Sequence, residues 1–308
     1  EKRIYALPLY VDTLALYYNK KDFETRLPQR GKPANNWNVF LEDASKFREQ
    51  KDGKLSHGLI ALGRSDNIKL AVDVLYNFFL QGAIVFYDDN WKQTKFAADG
   101  QRFFDFFLSF ADSKSKNFSW SEDLASPQSS EIEAFLAGKV SSILAYSDLY
   151  PRLSTEIKNV KAKYDTSISE KDVAIMPMPQ FSEDENAYKV FANYYGLAVS
   201  RNAKNPQTAW SFVEFAASQE NARAYHSFTK RPAARRDLIE EQKKEPVTDV
   251  FVSQVGYAGS FRLFSDRKFA EFLRNAITFS NGGQTSKEAL SNAQESINKF
   301  LKTEAPDG

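Results

Sequence analysis

Cysteine is absent from the 308 residues. Disulfides, thiol catalysis and thiolate metal sites are therefore excluded together. Histidine is nearly absent as well, with only His57 and His226. A metal site would need several nitrogen or carboxylate ligands at workable spacing, and none stands out. No apolar run approaches the roughly 20 residues that span a bilayer. The first residues also lack the basic stretch followed by an apolar one that directs export. Neither sign of charge dominates, since 41 basic residues face 40 acidic ones. The basic patch or stripe that marks nucleic-acid binding is missing, and a membrane-surface role is no better supported. A Gly-x-Ser-x-Gly elbow, a P-loop and a dinucleotide fingerprint are missing too. So are internal repeats and low-complexity segments.

Aromatic residues are plentiful, with 26 Phe and 14 Tyr. They are ample for a core and leave some to line a pocket. The length allows two domains. Ile4 to Tyr10 reads as a short strand with Pro8 at an edge or end. Leu14 to Tyr18 reads as a second strand, and Asn19-Lys20-Lys21-Asp22 as the turn after it. Trp37 opens an amphipathic helix with Phe40, Leu41, Ala44 and Phe47 at helical spacing and Asn36 as its cap. Leu59 to Leu62 reads as a short strand before the Gly63–Asn67 loop. Asn67 to Leu80, ended by Gly82, and the Phe-rich stretch Phe96 to Ala111 read as helices facing a core. Ser130 to Glu133 opens a helix with acids in its first turn, stopped by Gly138. Val140 to Ala145, Val173 to Met176 and Gly196 to Ser200 read as strands. Asn205-Pro206 starts a further helix, and Thr285 to Leu301 is the last one. Helices and strands alternate throughout, which indicates an α/β protein.

Five segments carry a resemblance in shared order. The first is Tyr5-Ala-Leu-Pro-Leu-Tyr-Val-Asp-Thr-Leu-Ala-Leu-Tyr-Tyr-Asn-Lys-Lys-Asp-Phe23. The second is Ala134-Phe-Leu-Ala-Gly-Lys-Val140, and the third Val173-Ala-Ile-Met-Pro-Met-Pro179. The fourth is Tyr195-Gly-Leu-Ala-Val-Ser200 with Asn205-Pro206 and Ala209-Trp210, and the fifth Arg231-Pro-Ala-Ala-Arg-Arg-Asp-Leu238. Together they resemble the family 1 extracellular solute-binding proteins of ABC importers, the maltose-binding-protein-like receptors. Two loops depart from the pattern. Tyr146-Ser147-Asp148-Leu149-Tyr150 stands where many members carry a Trp, and Asn35-Asn36-Trp37 where many carry Pro-x-Thr-Trp.

The resemblance implies an α/β, two-lobed periplasmic-binding-protein-like fold of type II, with the second lobe nearly complete and the first partial. Residues 1–12 and 195–243 would belong to the first lobe, and 13–190 and 246–304 to the second. Hinge crossings are expected near 11–13, 190–195 and 243–247. Roughly a hundred residues of the first lobe, and an export signal, are expected upstream of residue 1. The implied function is capture of a sugar or oligosaccharide by hinge closure and delivery to a membrane permease. An extracytoplasmic location, a monomer, and no cofactor or nucleic-acid partner are expected with it. Sugars require flat aromatics for their faces and carboxylates, amides or Arg for their hydroxyls. The candidates sit on loops at strand ends. Asp12 at the first crossing suits either a ligand contact or a hydrogen bond bracing the hinge. Asp66 and Asn67 suit a ligand or a helix cap. Tyr146 and Asp148 form the leading pair. Asn193, Tyr194 and Tyr195 precede the return strand, and Tyr195 can stack on ligand or pack the hinge. Phe264, Asp266 and Phe269 complete the set, with core packing as the alternative for the aromatics. Three other readings stay open. An anionic solute would draw on Arg64, Arg152 and Arg262. A carbohydrate-active enzyme would use a carboxylate pair. A folded lobe could also act only as an interaction module.

Overall fold

The computed structural model describes residues 4–165 and 167–304. Residues 1–3, at the head of the expected first lobe, lie outside the described residues. Within them run eight strands: β1 Ala6–Thr13, β2 Ala15–Asn19, β3 Glu49–Lys51, β4 Lys54–His57, β5 Ser142–Ala145, β6 Val173–Pro177, β7 Val190–Ala198 and β8 Ala258–Gly259. They form two three-stranded sheets, ordered β1-β7-β8 and β5-β2-β6, and a β3-β4 hairpin.

β2 is the central strand of its sheet and every one of its residues is buried. A strand covered on its two faces needs a continuous apolar run rather than alternation, and Ala-Leu-Tyr-Tyr supplies it. β1 pairs antiparallel with β7 from Ala6↔Ala198 to Thr13↔Ala192, and β2 pairs with β5 and β6 starting at Ala15. The chain therefore passes from one sheet to the other across Leu14. Buried Gln254 braces this passage. Its amide nitrogen donates to Thr13 Oγ1 and the Leu14 carbonyl, each at 3.0 Å, and its oxygen accepts from Met178 N at 2.8 Å. Satisfying a buried amide in this way matters because an unpaired one costs about 1–3 kcal/mol.

The main core surrounds β5-β2-β6 and the helices Ala71–Gln81, Ala97–Ser109, Asp266–Asn281 and Ser286–Glu304. Trp37 is its aromatic hub. It meets Phe40, Phe78 and Phe106 edge-on, with centroids 5.5, 5.3 and 5.9 Å away. Its Nε1–H donates to Gln81 Oε1 at 3.2 Å. A second, much smaller apolar cluster of Ala222, Ala233 and Leu238 lies near β1.

Several expected elements shift, each for a local reason. Asn19-Lys20-Lys21-Asp22 is not a turn. Asn19 caps the helix Lys20–Arg26 by accepting from Asp22 N at 3.4 Å. The helix from Trp37 breaks at Asp43 into Trp37–Glu42 and Ala44–Phe47. The Asp43 carboxylate there holds Arg30 and Lys46. Asn36 is the cap as expected, accepting from Asn38 N at 2.9 Å. Leu59 to Leu62 is buried but is not a strand, because Ser119 Oγ takes both the N–H and the C=O of Ile60. Gly58 allows that approach, since a Cβ there would lie 1.9 Å from the Ser119 carbonyl oxygen. The helix expected from Asn67 starts at Ala71, and Asn67 is held in the loop by its own side chain. The strand expected from Gly196 begins at Val190, because its pairing with β1 runs back past Asn193 and β8 adds two further residues.

Candidate functional site

The polar groups converge where β1 meets the turn after β5. Asp12 is 2% exposed. Its carboxylate accepts from Ser147 N at 3.1 Å and from Ser147 Oγ at 2.8 Å. β1 places Asp12 there as its penultimate residue, and β5 delivers Ser147 just beyond its carboxyl end. Arg231 arrives from a segment that runs along β1, fixed by the bonds from Val11 N to Pro232 O at 3.0 Å and Ala234 N to Leu9 O at 3.2 Å. His226 Nδ1–H donates to the Arg231 carbonyl at 2.8 Å. The guanidinium stands 3.7 Å from Asp12 and 3.7 Å from Asp148. Burial pushes the Asp12 carboxyl up to about 7, outweighing the Ser147 hydrogen bonds and the more distant Arg231, while Asp148 adds repulsion.

Aromatic rings flank this cluster. Tyr195 stacks on Tyr10 at 5.9 Å and Tyr10 on Tyr225 at 6.1 Å, each pair within 7° of parallel. Arg231 lies over Tyr10, 4.9 Å from its centroid. Tyr195 is 56% exposed and presents the free end of the stack. On the other side, buried Tyr146 donates its hydroxyl to Asp73 Oδ2 at 2.8 Å. Desolvation pushes the half-buried Asp73 up to about 6 despite that bond, with Asp266 raising it further and Arg274 opposing.

The expected residues divide accordingly. Asp12, Tyr146 and Asp148 come together, and Asp266 adds its charge to Asp73 and Tyr146. Tyr194, Tyr195 and Asn193 are exposed on β7 opposite Val11, Tyr10 and Asp12. Phe264 is exposed beside the start of the helix Asp266–Asn281, whereas Phe269 is fully buried core. Asn67 is buried, with its nitrogen on the Ala125 carbonyl at 2.6 Å and its oxygen on Trp120 Nε1 at 2.9 Å. Asp66 is held by Arg64 through two bonds of 2.9 and 2.6 Å. Asp66 and Asn67 line a groove of about 630 Å³ together with Lys69, Arg152 and Arg274. Arg152 links this groove to the cluster, since it pairs with Asp148 at 3.4 Å and Glu156 at 3.0 Å.

Asp73, Ser147, Arg231, Tyr10 and Tyr225 were not singled out from sequence as site residues. Ser147 sits between two residues that were, so its neighbours are a usable signal. Arg231 belongs to a matched segment. Asp73 looks like an ordinary acid in a helix's first turn, and nothing local marks it.

The arginines of the anionic reading are engaged. Arg64 and Arg152 hold carboxylates, and Arg262 lies over the Trp91 ring at 5.5 Å. His57 Nε2 meets Asp22 Oδ2 at 3.1 Å, and Ser141 Oγ donates to the same oxygen at 2.8 Å. In a nucleophilic triad the acid and the serine occupy opposite ring nitrogens. Here they crowd one, and His57 Nδ1–H donates to the Phe47 carbonyl at 2.8 Å. This is a buried structural node. Among the described residues no group of three or more His, Cys, Asp or Glu could hold a metal ion. No described helix is long and apolar enough to cross a membrane.

Comparison with known proteins agrees with this architecture. The maltodextrin-binding protein MdxE of Bacillus subtilis (strain 168) is 25% identical over 272 residues, which are 82% of this chain and 55% of that protein. The chain thus spans about half the length of this curated relative. Among solved structures, the sugar-binding protein MalE of Xanthomonas citri superposes with a TM-score of 0.74 at 14% identity, covering 99% of this chain and 73% of that one. The GacH receptor of Streptomyces glaucescens GLA.O, solved unliganded and with acarbose, gives a TM-score of 0.72 at 19% identity over 98% and 72%. These likenesses establish the two-lobed fold of sugar-binding receptors. The profile of the bacterial extracellular solute-binding proteins, a family of binding proteins and not of enzymes, matches residues 1–223. With nearly three-quarters of its length inside that match, the chain belongs to the bacterial extracellular solute-binding proteins.

Proposed function

We propose that the chain is the substrate-binding subunit of an ABC importer and captures a sugar or oligosaccharide between two lobes. The observation that carries this reading is the crossing cluster, in which Asp12, Asp148 and Arg231 lie beside the Tyr195–Tyr10–Tyr225 stack. Carboxylates and guanidinium suit hydroxyls, and the outer face of Tyr195 suits the apolar face of a pyranose. MdxE is named for maltodextrin and GacH was solved with acarbose, so an α-linked glucose chain is the first ligand to try.

The same reading divides the chain into a first lobe of 1–12 and 195–243 and a second of 13–190 and 246–304. Crossings then fall near 11–13, 190–195 and 243–247. The change of sheet at Leu14 supports the first crossing. The second is supported by β7, which pairs with β8 at Val190–Phe191 and with β1 from Ala192 onward. Ligand that touches the two lobes favours the closed state through its differential affinity, and a permease reads the closed shape. The family's description as extracellular supports an extracytoplasmic location. A monomer suffices for such a cycle.

Calorimetric titration with maltose through maltoheptaose tests the reading. Saturable binding is expected, weakened by roughly 10-fold or more in Asp148→Asn, the scale of one lost charge-assisted hydrogen bond. Heat-silent titrations across the series would sink the sugar assignment.

A further inference from the structure

A hairpin distant in sequence from the crossing cluster has no part in the function so far. Residues 86–95 double back through the bonds from Asp88 N to Gln93 O at 2.8 Å and Lys95 N to Phe86 O at 3.0 Å. Its base is fixed. Phe86 stacks on Phe96 at 4.6 Å and packs on Phe261 at 4.7 Å. Buried Thr94 is held by Asn298, which accepts from its backbone N at 2.6 Å and its hydroxyl at 2.8 Å. At the tip, Asp88 Oδ1 accepts from Lys92 N and Gln93 N at 2.9 and 3.2 Å. On this rigid mount Trp91 is 55% exposed.

Its backbone is unusual as well. Trp91 has φ +59°, a strained region that bulky side chains rarely enter. The conformation turns the indole against Tyr87, with centroids 5.4 Å apart, and under the Arg262 guanidinium at 5.5 Å. These groups and Asp89 line a depression of about 400 Å³. An exposed indole on a strained, anchored mount, with carboxylate and guanidinium at its rim, has the chemistry that grips a sugar ring: a flat face for C–H surfaces and charged groups for hydroxyls.

The depression is linked to the crossing cluster through the segment that lines it. Phe261 and Arg262 line it, and Phe264 and Asp266 follow in sequence. Four residues from Arg262 to Asp266 span at most about 14 Å, and Asp266 acts electrostatically on Asp73 and Tyr146. Fully buried Tyr76 is near residues of the two regions. Its ring is 5.7 Å from Phe261, and its hydroxyl, raised by burial, also feels Asp266, Asp73 and Tyr87.

We propose that the Trp91 hairpin is an outer saccharide subsite, holding the far rings of an oligosaccharide whose near end lies in the crossing cluster. The chain-length dependence rests on the sugar-binding reading above, whereas the hairpin's own affinity for a sugar ring does not. The test compares maltose with maltoheptaose in the full chain, by calorimetry and by the indole N–H resonance of Trp91. Trp91→Ala is expected to raise the Kd for maltoheptaose roughly 3- to 10-fold, the value of one aromatic contact. It leaves the Kd for maltose unchanged, and Trp91→Phe restores most of the loss. Unaltered maltoheptaose binding in Trp91→Ala, or an equal loss for the two sugars, overturns the proposal. If the wild type gives no heat with either sugar, the sugar assignment of the crossing cluster fails, and the indole resonance still decides whether the hairpin itself holds a sugar ring. A saturable shift at millimolar maltoheptaose upholds it, and no shift ends it.

Discussion

The two three-stranded sheets are equal in strand number and unequal in what surrounds them. β5-β2-β6 lies within a continuous core in which Trp37, Trp120, Tyr17 and Phe104 are fully buried. Among the described residues, the separate apolar cluster near β1 is Ala222, Ala233 and Leu238, while Val190 and Phe191 at the start of β7 join the main core. The helices Pro206–Ala216 and Gln219–Thr229 carry large apolar residues here too, but Phe212, Phe215 and Phe228 are exposed. Among the described residues, one region buries its aromatics and the other exposes them. The crossing cluster sits between them. Asp12 comes from the thinly covered sheet, Ser147 from the densely covered one, and Arg231 from the segment beside β1. The chain spans about half the length of its curated relative, so the thin cover around β1 and β7 is a property of the described residues alone.

The largest effect should come from the dense region. Trp37→Ala removes a ring with three edge-on aromatic partners and leaves a cavity where no side chain can readily collapse. A loss of about 3–5 kcal/mol in unfolding free energy is expected, read from urea titration. A loss below about 1 kcal/mol would mean that the dense region repacks freely and that the contrast with β1-β7 is overstated.

A second prediction concerns the boundary. Asp12 and Asp73 have carboxyls raised by burial to about 7 and about 6. A carboxyl with a higher pKa in the folded state binds more protons there than in the unfolded chain. Its contribution is fully present below about pH 4 and is lost as pH rises through the folded value. Stability should therefore fall between pH 5 and pH 7.5 by roughly 1–3 kcal/mol. The carboxyls of Asp22, Asp66 and Glu133 are shifted the other way, so they titrate below this window, whereas burial raises Glu131 as well and adds to the same fall. Asp12→Asn should flatten most of the slope, with Asp73→Asn taking the part below about pH 6. An unchanged slope in both variants would show that neither carboxyl carries its proton in the folded protein.

The sequence made some of this legible, and physics explains which parts. The α/β alternation and the cap at Asn36 depend on residues a few positions apart, and they stand where the pattern put them. The strands on either side of Leu14 were readable because two β-rich apolar runs follow one another there with Asp12 between them. Leu59 to Leu62 misled because an apolar run cannot report that Ser119, far along the chain, takes the backbone bonds of Ile60. Tyr146 and Asp148 were visible as an aromatic and an acid after a strand. Asp73 was not, since its partner Tyr146 lies on another element and its own neighbourhood in sequence is that of any amphipathic helix.

The smallest expected effect tests the contrast most directly. Phe228 is 87% exposed on the helix Gln219–Thr229. Replacing an exposed side chain away from caps, cores and ion pairs changes stability by no more than about 0.5 kcal/mol. Phe228→Ser should therefore be neutral in urea unfolding, while removing an apolar group from solvent should make the protein more soluble. The informative failure is a loss near 2 kcal/mol, which is the value of a buried Phe rather than an exposed one. That result would mean that more polypeptide, from a longer chain or a second copy, covers this face in solution. Sedimentation separates the two sources, because only a second copy makes the loss depend on protein concentration. The exposed rings around β1 and β7 would then form a face that other polypeptide covers, and the contrast between the two regions would narrow to a difference in what covers them.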